Sequence, residues 1–115
     1  MCLNYLRSLI FFMELNELAI KVNDFIQTQG GYWEPAWMLA ALTEELGELS
    51  RSLQMFHNIR DNNISHRSSK AFNSVEEECG DIFFALLCLT NSIGIDLEKT
   101  LLNTVKKYKQ RNTVL

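Results

Sequence analysis

The sequence predicts an all-α fold, a four-helix bundle, from two observations. Its 115 residues include only five glycines and one proline, and Gly30, Gly31, Pro35 and Gly94 fall where helices should begin or end. Between them, apolar residues recur at helical spacing, and no segment alternates as a strand would. A chain of this length has room for one domain. We therefore expect the helices to pack on one another as a bundle.

Four helices are predicted in chain order. The first stops at Gly30 and Gly31, and the second starts at Pro35, a favoured first-turn residue. The third ends at Gly94, and the fourth begins behind Asp96 as its N-cap. The predicted helices span about 13–29, 35–56, 71–93 and 97–111, and the polar segment 57–69 is predicted to be a loop.

The composition argues against several classes of protein. Eleven basic and fourteen acidic residues give a formal net charge of -3, without the excess of positive charge that nucleic acid binding uses. Cys2, Cys79 and Cys88 form no CxxC pair, which indicates neither a disulfide framework nor a zinc site and favours a cytoplasmic setting. No run approaches the ~20 apolar residues of a membrane span. We expect no nucleic acid polymer and no membrane as partners.

The N-terminal residues 1–12 are apolar, but Glu14 ends this stretch and no signal-peptide cleavage site follows. We treat them as an extension that either belongs to the first helix or precedes a start at Met13, and we place the helical domain at 13–115. Several segments are too apolar for a lone domain of this size, which predicts a homodimer or homotetramer.

Two acidic pairs on the second and third helices are the candidate site. Glu45 and Glu48 lie three residues apart, as do Glu78 and Asp81, so each pair occupies one side of its helix. Carboxylate oxygens are the ligands that Mg²⁺ and Mn²⁺ prefer. Either pair alone would more often be a solvated helix face. The two pairs together predict a metal site, because their positions on the second and third helices favour a meeting of all four carboxylates inside the bundle.

Convergence is predicted from the apolar neighbours of each pair. Relative to a leucine stripe taken as the core face of the second helix, Glu45 lies ~60° from the centre and Glu48 ~120°. Asp81 precedes the uncharged segment 82–89, and a helix that is apolar all round is buried all round, so Asp81 is expected to face protein. Four like charges gathered there would repel unless a cation lay among them. The leucine stripe consists of Leu42, Leu46, Leu49 and Leu53.

A di-iron carboxylate bundle is excluded by the histidines. Such sites use Glu-x-x-His on two helices, and neither His57 nor His66 lies three residues after a glutamate. Ligation by oxygen alone favours magnesium.

The pattern EExxE at Glu44, Glu45 and Glu48, followed by ExxD at Glu78 and Asp81, resembles the signature of the MazG-type all-α nucleoside triphosphate pyrophosphohydrolases. The resemblance covers about 33–111. It implies a helical bundle that binds magnesium through Glu45, Glu48, Glu78 and Asp81, with Glu44 as a supporting residue or auxiliary base. It also implies hydrolysis between the α and β phosphates, which gives a nucleoside monophosphate and pyrophosphate. The 29 residues between Glu48 and Glu78 are at the long end of the family's spacing.

A basic segment near the C-terminus extends the resemblance. Residues 107–111, KYKQR, resemble the family's late basic motif. Asn103, Lys107 and Arg111 form an i, i+4 stripe, and the resemblance implies that they hold the substrate's phosphates. The alternative is that these cations only stabilise the last turn of a helix.

Two tryptophans flank the start of the second helix. The segment 33–35 resembles the place where dCTP-cleaving members of the family put base-contacting residues, which implies that Trp33 stacks on a nucleobase. Trp37 is an alternative stacking residue, but a role in the core is favoured for it. Base selection depends on the pocket shape around residues such as Trp33 and Met55. The sequence therefore leaves open a dUTP or dCTP specialist and a broad house-cleaning hydrolase of noncanonical triphosphates.

The sequence thus favours a magnesium-dependent enzyme in which manganese could substitute. Glu45 is the preferred residue to orient or deprotonate the attacking water, because it lies nearest the core stripe, and the sequence leaves Glu48 open as the alternative. The alternative is a non-catalytic helical oligomer, a binding or assembly module on the same bundle. Such a module would gain nothing from clustered buried charge.

Overall fold

The computed structural model describes residues 13–61 and 70–114, except for the side chains of 59–61 and 113–114. These residues form four α-helices and no strands, which confirms the all-α prediction. The predicted extension 1–12 lies outside the described residues. The helices are α1 (Leu15–Thr28), α2 (Pro35–Asp61), α3 (Lys70–Ser92) and α4 (Leu97–Val114).

Local signals set the ends of α1 and α3 and the beginning of α4 as predicted. After α1, the Gly31 N–H donates to the carbonyl of Ile26 at 3.0 Å, with both turn glycines at positive φ. After α3, Gly94 takes a φ of 76° and the Ile95 N–H reaches the carbonyl of Thr90 at 2.9 Å. The Asp96 carboxylate accepts a 3.0 Å hydrogen bond from the Lys99 N–H, the expected N-cap of α4.

The second helix is longer than predicted, and the loop prediction for 57–69 is wrong over its first five residues. α2 continues through 57–61 to Asp61 because no glycine or proline interrupts it there. The rings of Phe56 and Phe72 lie 5.9 Å apart between centroids, so the end of α2 packs near the beginning of α3. Residues 62–69 lie outside the described part of the chain.

The pairing of α2 with α3 is the main contact of the fold. α1 packs on α3 and also contacts α4. Two long-range hydrogen bonds fix α1: the Asn91 side chain donates to the carbonyl of Ala19 at 2.9 Å, and the Asn16 N–H donates to the Glu98 carboxylate at 3.0 Å. Ser52 on α2 is buried together with apolar side chains. Those buried apolar side chains are Met38, Ala71, Leu87 and Cys88.

The buried face of α2 is rotated away from the predicted leucine stripe. Leu46 and Leu53 are exposed, so the stripe is wrong at two of its four positions. The face toward α3 instead follows residues at seven-residue spacing, and Glu45 lies at its middle. It consists of Met38, Ala41, Leu42, Glu45, Glu48, Leu49, Ser52 and Phe56, all buried or half-buried. We call these residues the inner face of α2.

Two other burial predictions fail for the single chain. Phe83 and Phe84 on α3 are exposed, so 82–89 is not buried all round, because α1 covers only part of that helix. Trp37 is also exposed and has no core role within the chain.

No single helix of the described ranges is long and apolar enough to cross a membrane. α3 and α4 reach the required length and composition only together, across a 107° bend.

Candidate functional site

Three carboxylates from two helices meet at the α2–α3 contact. Glu45, Glu78 and Asp81 each offer an oxygen, and these oxygens all lie within 4.8 Å of one another. Helical spacing puts Glu78 and Asp81 one turn apart on α3, and Glu45 reaches them from the inner face of α2. Glu45 and Glu78 are half-buried, whereas Asp81 is exposed. The prediction that Asp81 faces protein is therefore wrong for the single chain. We call these three residues the acidic cluster.

Glu78 is the member of the acidic cluster whose ionised form is least favourable. Its Oε2 atom is buried without a hydrogen-bond partner. Burial raises the pKa of Glu78, and so do a side-chain hydrogen bond with Glu45 and the negative charges of Glu45, Asp81 and Glu48. Two carboxyl groups can share a hydrogen bond only while one of them holds a proton. Among the described residues, no positively charged group offsets these negative charges at Glu78.

A divalent cation would supply the positive charge that the acidic cluster lacks. The donors are all carboxylate oxygens, which suit a hard ion such as Mg²⁺ or Mn²⁺, and the unpartnered Glu78 oxygen is a free ligand atom. A cation among these oxygens would remove both the repulsion and the reason for proton uptake.

The other two glutamates of the EExxE pattern lie at different distances from the acidic cluster. Glu48 is half-buried on the inner face of α2, and its charge contributes to the raised pKa of Glu78. It does not belong to the group whose oxygens lie within 4.8 Å. Glu44 is exposed, and its position in the helix directs it away from the inner face. The structure thus brings together three of the four predicted metal ligands, with Glu48 beside them.

An apolar pocket of about 360 Å³ adjoins the acidic cluster, with Glu45 and Asp81 in its wall. This size is typical of small-molecule sites. The Tyr32 hydroxyl donates to the Asn23 side chain at 2.8 Å, which fixes the ring. The apolar lining includes Ile26, Tyr32, Trp33, Met38, Phe84 and Cys88. A flat apolar group could enter while a charged group attached to it reaches the carboxylates.

Trp33 lines this pocket although 68% of its surface is exposed. Trp37 and Met55 do not line it. Sequence reasoning missed most of the other lining residues, since Met38 and Phe84 carry the same apolar signal as core residues. The turn that ends α1 at Gly31 was predicted, but its place beside the carboxylates depends on the packing of α1 against α3.

The predicted phosphate-binding residues of α4 lie elsewhere in the single chain. Asn103, Lys107 and Arg111 are exposed, and none lines the pocket. The Lys107 ammonium lies 5.1 Å, and the Arg111 guanidinium carbon 5.5 Å, from the centroid of the Tyr108 ring. These distances are in the cation–π range.

The raised pKa of Glu78 leads to a stability prediction. A carboxyl whose folded pKa is raised loses its contribution to stability as the pH rises through that pKa. Without metal, we expect Glu78→Gln to unfold at a higher temperature than the wild type at pH 7. At about pH 4 and below, Glu78 approaches protonation in both the folded and the unfolded state. The difference in melting temperature between the variant and the wild type should therefore shrink. Thermal melts in a chelator check this.

Glu76→Gln is the matched control, because Glu76 is exposed on the same helix and lies outside the acidic cluster. It should leave the melting temperature unchanged at both pH values. A Glu78→Gln melting temperature equal to or below the wild-type value at pH 7 would show that ionised Glu78 is well accommodated without a cation.

Comparisons with known proteins agree on one family. Residues 34–115 match the family model described as "MazG nucleotide pyrophosphohydrolase domain". The Bacillus subtilis (strain 168) protein YpjD, described as uncharacterized, is 36% identical over 99 residues, which cover 85% of this chain and 86% of that protein.

Two solved structures are also similar. One is a Bacillus-conserved MazG protein, described as a nucleotide pyrophosphohydrolase, with a TM-score of 0.70 and 31% identity over 86% of this chain and 93% of that chain. The other is the putative pyrophosphatase YpjD from Bacillus subtilis, with a TM-score of 0.68 and 35% identity over 86% of this chain and 98% of that chain.

Proposed function

Because the chain belongs to the MazG nucleotide pyrophosphohydrolase family, we propose that it is a magnesium-dependent enzyme acting on (deoxy)nucleoside triphosphates. It cleaves between the α and β phosphates and releases a nucleoside monophosphate and pyrophosphate. The observation that carries this proposal is an acidic cluster with a buried, unpartnered Glu78 oxygen, directly beside an apolar pocket.

The acidic cluster has two roles in this proposal. Glu45, Glu78 and Asp81, with Glu48 beside them, hold Mg²⁺, and Mn²⁺ is a possible substitute. When bound, the metal supplies charge neutralisation at the phosphates and a lowered pKa for water. Glu45 orients the attacking water and accepts its proton, since it belongs both to the acidic cluster and to the pocket wall. Glu44 is exposed and would act only as an auxiliary base.

The pocket receives the nucleobase. Its lining is mostly apolar, and Trp33 offers a flat surface for stacking. The triphosphate then extends toward Glu45 and Asp81, which places the reacting phosphorus near the carboxylates. Such a pocket selects its base by shape, and we propose house-cleaning of noncanonical nucleotides as the cellular role in the cytoplasm.

Phosphate binding by Asn103, Lys107 and Arg111 stays a proposal. In the single chain these residues are on α4, away from the pocket, so this role needs α4 of another protomer to approach it. A homodimer or homotetramer, which the exposed apolar side chains favour, would permit this.

A panel of canonical and modified nucleoside triphosphates tests the activity directly. Each is incubated with the protein and Mg²⁺, and pyrophosphate and monophosphate are quantified. We expect equal amounts of the two products from at least one member and none after chelation. Release of inorganic phosphate in place of pyrophosphate would contradict the proposed cleavage site. No product from any member would favour a non-catalytic binding module.

A further inference from the structure

One wall of the apolar pocket is held by a residue that does not line it. The side-chain oxygen of Asn23, on α1, accepts the 2.8 Å hydrogen bond from the Tyr32 hydroxyl. Tyr32 lines the pocket, whereas Asn23 lines a separate groove between α1 and the turn from α3 to α4. Both residues are half-buried. Asn23 is therefore connected to the pocket through the Tyr32 side chain.

The backbone around Tyr32 does little to orient its ring. Gly30 and Gly31 precede it with φ of 99° and 95°, and residues 32–34 belong to no helix. Glycines permit many backbone conformations, and a tyrosine outside a helix has several staggered χ1 rotamers to choose from. A hydrogen bond at the far end of the ring selects one of these rotamers. The position of the pocket wall thus depends on Asn23.

The helix that carries Asn23 is itself fixed to α3. The Asn91 side chain of α3 donates to the carbonyl of Ala19 at 2.9 Å, and Ala19 lies one helical turn before Asn23. Because α3 also carries Glu78 and Asp81, this hydrogen bond helps to define where the pocket wall lies relative to the acidic cluster.

The same helix supports a second ring of the pocket. Phe84 lines the pocket from α3, and the Phe25 ring of α1 contacts it edge to face, with the centroids 6.1 Å apart and the planes at 63°. This geometry is favourable for two aromatic rings. Phe25, like Asn23, does not line the pocket. α1 thus orients two aromatic rings of the pocket from behind, one by a polar contact and one by an apolar contact.

We propose that Asn23 is a positioning residue for nucleobase binding, which holds the Tyr32 hydroxyl and thereby keeps the Tyr32 ring in the pocket wall. This inference rests on the proposed function, since it takes the pocket as the site of the base. A wall that is in place before the nucleotide arrives does not have to be ordered during binding. Loss of the hydrogen bond lowers the fraction of molecules with the ring in place, and the apparent affinity falls by the same factor.

Tyr32→Phe and Asn23→Leu test this role, because each removes the hydrogen bond and keeps an aromatic ring at position 32. One net hydrogen bond corresponds to roughly two- to tenfold in affinity. We expect KM for nucleoside triphosphates to rise by this factor in both variants, with little change in kcat. The double variant should lose no more than either single variant. Asn23→Asp, whose carboxylate still accepts from the Tyr32 hydroxyl, should restore most of the affinity.

Inorganic tripolyphosphate separates a defect in the base site from a defect in the acidic cluster. It has phosphates but no base, so its inhibition constant should be the same in the wild type, Tyr32→Phe and Asn23→Leu. A general loosening of the fold would weaken tripolyphosphate binding as well.

A binding assay tests the inference without turnover. The chain has two tryptophans, so Trp37→Phe leaves Trp33, which lines the pocket, as the only one. In this background, fluorescence quenching by dAMP, dCMP, dGMP and dTMP reports binding in the presence of Mg²⁺. Asn23→Leu should weaken the tightest of the four by the same roughly two- to tenfold. Asn16→Leu, the same change at an exposed position of α1, is the control and should not weaken it.

The outcomes distinguish this inference from the proposed function. Unchanged binding in both Asn23→Leu and Tyr32→Phe would overturn the positioning role, and so would an equal loss in Asn16→Leu. Binding of none of the four monophosphates to the wild-type pocket would also overturn it. If the proposed function alone fails, the wild type binds nucleotides in the fluorescence assay but releases no pyrophosphate.

Discussion

Asp81→Asn is expected to lower pyrophosphate release at least about 100-fold while the helical fold persists. Asp81 is exposed, so an isosteric amide there leaves the packing unchanged. It removes the negative charge from one of the three oxygens that lie within 4.8 Å of one another. The expected loss is therefore one of metal binding and transition-state stabilisation and not of folding. Glu45→Gln should lose hydrolysis to a similar extent.

Three measurements separate this effect from unfolding. Pyrophosphate release is measured at saturating Mg²⁺, Mg²⁺ affinity by calorimetry, and helicity by circular dichroism. Glu76→Gln, on the exposed side of α3, is the control and should match the wild type in all three. Near wild-type turnover in Asp81→Asn would refute the assignment of the acidic cluster as the reaction centre.

Trp33→Ala is expected to raise KM by about tenfold or more with little change in Mg²⁺ affinity. Stacking of a base on an aromatic ring contributes about 1–3 kcal/mol, and Trp33 lines the pocket beside the carboxylates. Because 68% of its surface is exposed, its truncation costs little packing. The expected loss is in binding of the nucleoside part of the substrate.

Trp37→Ala provides the matched comparison. Trp37 is 69% exposed and does not line the pocket, so its removal deletes a similar exposed ring at a place where no base is expected. Steady-state kinetics on the best substrate of the panel should give a wild-type KM for this variant. An equal increase of KM in both variants would indicate that the pocket does not receive the base.

The helices could be predicted because their ends depend on local chemistry. Gly94 permits the positive φ that ends α3, and Asp96 caps α4. The buried face of α2 could not be chosen in the same way, since this helix carries two sets of apolar residues. Leu46 and Leu53 are as apolar as any core residue, yet the buried position goes to Ser52. Only the packing partner, α3, selects between the two sets.

The spacing of the acidic residues in the sequence predicted which carboxylates meet, but it did not predict the adjoining pocket. Glu78 and Asp81 stand one turn apart on one helix, and this relation is visible in the sequence. The pocket combines Ile26, Tyr32 and Phe84 from three parts of the chain, and each has the composition of an ordinary core residue. Trp33 and Trp37 are chemically identical, but Trp33 lies in the segment before α2 and lines the pocket, whereas Trp37 lies in α2 outside the inner face.

The unequal exposure of the carboxylates gives the proposed metal site one side open to solvent and one side closed. Asp81 is exposed, whereas the Oε2 atom of Glu78 is buried. In the proposed metal site, an ion arriving from bulk water would meet Asp81 first and Glu78 last. We therefore expect dialysis against a chelator to remove the ion while the protein stays folded.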